Sequence, residues 1–231
     1  MTGGYDSPEA PADLPEDFGW VCLSPTDLPE GVSTKVGKNA AVVSRYPKLN
    51  PDRCLPGGWT HCVWLDGNVG VASPAFYGHV RSLAESGAKI ALIRHPQRDD
   101  VFDEAERIVA NGRETLCNML RVNRFLKRSG IPRPTGLYEA NVIFRALGDP
   151  QIEAFDDLWW ECFSTLCRRD QMTLPYCLWK TGLQPEAMLP DGKTARNSPL
   201  LRYTPHDPPY RKHLLKDARR AALKLIYRIL K

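Results

Sequence analysis

His61-Cys62-Val63-Trp64-Leu65-Asp66-Gly67-Asn68 is a short apolar run that ends in a carboxylate, a glycine and an amide. Val63, Trp64 and Leu65 read as a buried strand of a mixed α/β sheet, which places Asp66 at the strand's carboxyl end. Open α/β sheets bind ligands at that edge. Two readings fit the corner: a plain Asp-Gly turn, or an acidic site where Asp66 and Asn68 hold a divalent cation carrying a diphosphate.

Upstream, Arg45-Tyr46-Pro47-Lys48 reads as a loop leading into the Trp64 strand, after a short strand over 40–44 and another over 18–23. Arg45 and Lys48 are either solvated loop charges or cations that neutralise phosphate near Asp66. Downstream, residues 74–86 predict a helix closed by Gly87, and 88–93 a second strand ending in Arg94-His95-Pro96-Gln97-Arg98. Strand, helix, strand predicts a parallel pair with a crossover. His95 and Arg98 then share the edge with Asp66, as capping residues or as substrate contacts.

Helices are expected over 103–110 and 113–129, then a strand over 141–145 with Glu139 and Asn141 just ahead of it and Arg145 at its end. Glu139 and Asn141 serve either a turn or a polar pocket. The large side chains of 151–167, among them Phe155, Trp159 and Phe163, read as a core stripe rather than a sugar platform. A further helix is expected over 172–180. Asp170 is placed as its N-cap, or as a carboxylate presented outward beside the Gln171 amide for sugar hydroxyls or acid/base work.

The 231 residues fit one sizeable domain with appendages. We divide them into a body over 1–183, a proline-rich irregular segment over 184–209 and a basic amphipathic helix over 210–231. That last stretch has eight Lys/Arg and one Asp, a net of +7 within a chain of net +4, so the remainder sums to −3. A mildly acidic body argues against nucleic-acid binding. Leu215, Ala218, Ala222, Leu225, Ile226 and Ile229 share one helical face of the tail, which suits packing on the body, an anionic membrane surface or an acidic partner. The tail reads as separable from the body. No stretch has the pattern of a secretion signal or a membrane span, so the expected location is cytoplasmic, with peripheral membrane contact through the tail. Seven cysteines, none in a CxxC pair, predict reduced thiols rather than a disulfide or zinc framework.

The chain resembles a glycosyltransferase-like domain family of plant mucilage-synthesis and turgor-regulation proteins with bacterial and viral relatives. The landmarks are Gly4-Tyr5-Asp6, Ser44 to Lys48, Val63 to Asn68, His95 to Arg98, Gly136 to Arg145 and Arg169 to Met172, in the family's order across about residues 3 to 182. The resemblance implies a GT-A-like fold with a mostly parallel sheet, a nucleotide-sugar donor, Mn²⁺ or Mg²⁺, and a glycan, protein or lipid acceptor. By the same resemblance Asp66, with Asn68 where a second acid is usual, would serve the metal, and His206 would be its C-terminal ligand. Tyr5, Arg45 and Lys48 would meet the nucleotide or its diphosphate, His95, Arg98, Glu139, Asn141 and Arg145 the substrate, and Asp170 with Gln171 the reacting sugar. Hard oxygen ligands suit Mg²⁺ or Mn²⁺ and not zinc. The resemblance calls for a first strand ahead of Gly4 that this sequence does not hold: either the true start lies upstream, or the protein is a shortened variant with a reduced nucleotide pocket. Two alternatives remain: a hydrolase of a lipid amide, though there is no GxSxG or HExxH, or a non-catalytic carbohydrate- or nucleotide-binding remnant.

Overall fold

The computed structural model describes residues 10–23, 40–190, 192–205 and 214–230. In chain order the elements are α1 (Ala40–Leu49), a 3-10 turn (Pro51–Arg53), β1 (His61–Leu65), β2 (Val69–Val71), α2 (Ala75–Glu85), β3 (Ile90–Arg94), α3 (Val101–Ala110), α4 (Leu116–Ser129), β4 (Tyr138–Ala146), α5 (Pro150–Thr165), α6 (Asp170–Thr181), β5 (Glu186–Ala187), β6 (Leu201–Tyr203) and α7 (Leu214–Leu230).

The chain is an α/β protein around a mixed four-stranded sheet of order β1-β4-β3-β5. β1 and β3 run in the same direction, as the crossover through α2 requires, but β4 lies between them, antiparallel to both. The expected mostly parallel sheet is therefore corrected: among the described residues, only β3 with β5 is a parallel pairing. The long β4, nine residues with six of them buried, has the apolar content to take the centre and leaves β1 at the edge. The Trp64 strand is accordingly half-buried rather than buried.

Alternation along the strands divides the core between the two sheet faces. Ile90, Leu92 and Ile143 face α1, α5 and α6, where Leu49, Phe155, Trp159, Phe163 and Leu174 are all at most 1% exposed. The aromatic stripe of α5 is thus core, each large side chain contributing about 1.5–3 kcal/mol by leaving water. Ala91, Ile93, Val142 and Phe144 face α2 and the residues around Met188 and Leu201. A third cluster joins α3, α4 and α7 through Val101, Ile108, Met119, Val122, Leu126 and Tyr227.

Local chemistry sets the helix ends. Asp100, Thr115 and Asp149 accept from the first free amides of α3, α4 and α5. Gly87, at φ 77°, follows α2, and Ala88 N–H donates back to Leu83 O.

Four expectations need correction. Residues 40–44 begin α1, because Val42, Tyr46 and Leu49 recur at helical spacing and all three are buried against α5 and its neighbours. Arg45 and Lys48 are helical residues of α1, on either side of Pro47 within the helix, and not loop charges. Residues 18–23 form no strand; Phe18 is held by its ring against Tyr77, centroids 4.9 Å apart, and Asp17 by Arg81 at 2.6 Å. The segment over 184–209 carries β5 and β6, the latter antiparallel to β2, so its described part is built into the body.

Candidate functional site: a lysine-bridged carboxylate pair

Lys48, in the last turn of α1, enters the space between the carboxyl end of β1 and the start of α6 with only 2% of its side chain exposed. Its Nζ is 3.0 Å from Asp66 Oδ1 and 2.8 Å from Asp170 Oδ2. A buried ammonium requires paired anions, and here it has two. Arg45, one turn earlier on the same face of α1, adds a second cation, its Nε donating to Asp170 Oδ2 at 3.1 Å.

The scaffold fixes each member. Asp66 N–H donates to Asn141 O, aligning the end of β1 with β4, and Trp64 Nε1 donates to Asp66 Oδ1 at 2.8 Å. Asp170 is the first residue of α6; Arg169 stands at the cap position, one residue before the expected place. Trp159 Nε1 donates to Asp170 O, and Gln171 N–H donates to Asp170 Oδ1. Burial alone would raise the Asp170 carboxyl, but Lys48, Arg45 and the Gln171 amide outweigh it and hold it well below the usual carboxylate range. An acid held that low is a poor proton acceptor and stays ionised at neutral pH.

Four expected residues from three distant stretches thus form one cluster: Arg45, Lys48, Asp66 and Asp170. The others are placed differently. Gln171 does not project outward beside Asp170; its Nε2 donates to Tyr138 O at 2.9 Å and ties α6 to β4. Glu139 takes Arg196 at 2.7 Å and the Asn141 amide at 3.3 Å. The Asn141 side-chain oxygen is buried without a hydrogen-bond partner. His95 Nδ1 accepts from the backbone N–H groups of Gln97 and Arg98, so its ring shapes the turn after β3, and Arg98 pairs with Glu104 at 2.5 Å.

Arg145 is not positioned for substrate. It is fully buried, donates from Nη1 to Lys48 O at 2.7 Å, lies 3.1 Å from Asp156 and stacks over Phe155 and Trp159. Its task is to hold the end of α1, and so to aim Lys48. Tyr5 and His206 lie outside the described residues. Arg196, Glu104 and Asp156 had no motif to mark them; each becomes visible only when folding brings its partner across.

The described members of the expected metal set, Asp66 and Asn68, do not form a ligand group by themselves. Asp66 Oδ1 already accepts from Lys48 and Trp64, Asp170 is taken by two cations, and the Asn68 residue is buried in the β1–β2 turn, where its backbone oxygen accepts from Thr204. Among the described residues no group of three or more His, Cys, Asp or Glu is arranged to hold a metal ion. All seven cysteines are free thiols. Compared with protein-family models, curated proteins and solved structures, the chain matches none.

Proposed function

We propose that the chain is a glycosyltransferase of GT-A-like fold that takes a nucleotide-sugar donor at the carboxyl end of β1. The observation that carries the reading is the bridge from Lys48 to both Asp66 and Asp170, which unites three landmarks of the family resemblance in one polar cluster. Asp170, ionised and immobile, accepts hydrogen bonds from sugar hydroxyls; Arg45, with a third of its side chain exposed, faces the diphosphate. Lys48 locks the two carboxylates in place, and Arg45 supplies the exposed positive charge beside the leaving group, the main electrostatic demand of such a transfer. Asp66 Oδ1 and Asp170 Oδ2 are held by cations, and no step is assigned to Mn²⁺ or Mg²⁺.

The cluster's two cations and two anions balance, which favours one second reading: a site that binds a nucleotide-sugar and does not turn it over. A thermal-shift and calorimetric titration with UDP, GDP and their sugars, in chelator and then in Mn²⁺, separates these. We expect binding in chelator that is lost in Asp170→Ala, with nucleoside diphosphate released from the cognate sugar donor. Binding without release supports the second reading. Binding only with Mn²⁺ would overturn the lysine-bridged site, and no binding under either condition would remove the glycosyltransferase reading.

A further inference from the structure

The tail helix α7 docks on the body by the face opposite the one its sequence advertises. Tyr227 is fully buried in the α3/α4 cluster with Leu223 beside it, and Lys224 and Arg228 reach Glu106 of α3 at 3.2 and 2.8 Å. At about 100° per residue, positions 222, 225, 226 and 229 then fall on the far side of the helix. They are exposed: Leu225 is 60%, Ile226 42% and Ile229 73% accessible, followed by Leu230 at 57%. Contiguous apolar surface held outward by a docked helix marks an interaction face.

Charge decides the occupant. The stretch from 210 to 231 has a net charge of +7, while the rest of the chain sums to −3. A second copy meeting this face by two-fold symmetry would place the two basic helices against each other. An anionic surface that also accepts aliphatic side chains satisfies both features, and no described helix is long and apolar enough to cross a membrane, so the helix would lie along it. Lys224 and Arg228 keep about half of their side chains accessible while paired with Glu106.

We propose that α7 is a docked interfacial anchor that lays Leu225, Ile226 and Ile229 into an anionic lipid surface and so fixes the body's orientation on it. The test is co-sedimentation of the full chain with vesicles of phosphatidylcholine mixed with phosphatidylserine and of phosphatidylcholine alone. The expected result is binding to the mixed vesicles only, weakened by salt, and reduced about tenfold or more in Leu225→Ser/Ile229→Ser. Because both positions are exposed, the double variant keeps its melting temperature. Failure to bind mixed vesicles, equal binding to phosphatidylcholine alone, or binding indifferent to the double variant would each overturn the proposal. Self-association without vesicles that disappears in the double variant would assign the face to a second copy instead.

Discussion

Lys48 Nζ stands between Asp170 Oδ2 at 2.8 Å and Asp66 Oδ1 at 3.0 Å, nearly closed off from solvent. Replacing it by methionine keeps the apolar stem, one atom shorter, and removes the charge, leaving two carboxylates facing each other. Losing one partner of a buried ion pair costs about 3–5 kcal/mol. Arg45 stays on Asp170, and Asp66 keeps 27% of its side chain exposed, so Lys48→Met should fall near about 3 kcal/mol in urea denaturation. The same variant frees both acids for a divalent ion: Mn²⁺ should raise its midpoint and leave the wild type unmoved. Equal stability of the two proteins would show that the bridge contributes nothing.

His95 predicts an acid-side weakness. Burial first, then the nearby Arg98, Arg107 and Arg196, push its imidazole down to about 4. The neutral ring is therefore the folded form, so its contribution is present above the ordinary pKa of about 6.5 and is lost as pH falls toward 4. With the ring partly accessible, a loss on the order of 1 kcal/mol is expected. His95→Asn retains an acceptor for the Gln97 and Arg98 amides and cannot titrate, so its stability between those pH values should be flatter than the wild type's.

Asp156 acts with the opposite sign. Burial raises its carboxyl to about 7 despite Arg145 at 3.1 Å, because neither group is aligned to hydrogen-bond the other. A raised carboxyl favours the protonated folded form: its stabilising share is complete below the ordinary value near 3.8 and is lost as pH climbs toward 7. Relative to Asp156→Asn, wild-type stability should therefore decline across that window. The difference between the two denaturation curves, followed by pH, measures this one group, and a constant difference would show that Asp156 is ionised throughout.

Much of this was legible in the residues, for identifiable reasons. Strong apolar runs such as Ile90 to Ile93 and Gly87 just past α2 are local signals, and the elements they mark form within about two residues of the bounds read. Asp66 at a strand end followed from the same logic. What was not legible depends on partners far along the chain. The four apolar residues at 40–43 suit strand or helix equally, and only the α5 surface receiving Val42, Tyr46 and Leu49 decides. Strand order is likewise global: β4 enters between β1 and β3 after two intervening helices. Lys48 looked like a loop charge because nothing near it in sequence announces Asp170, more than a hundred residues away.

The tail's apolar face, which suits the body, a membrane surface or an acidic partner, is not the face the body holds, and this yields the sharpest stability prediction. An amphipathic helix is expected to bury its broadest apolar face, yet α7 buries Tyr227 and leaves Leu225 and Ile229 outside. Tyr227 fills space among α3, α4 and α7, so Tyr227→Ala should cost about 3 kcal/mol or more, as for other large aromatics cut to alanine in a core. Leu225→Ala should stay within about 0.5 kcal/mol, since an exposed side chain leaves no cavity. Deleting residues 210–231 would open the third core cluster to water, contrary to a tail that can be cut away without consequence. Urea denaturation of the two point variants decides it. Equal, small effects would mean that α7 is not docked; a large loss confined to Tyr227 fixes which face of the helix the body holds and which it leaves free.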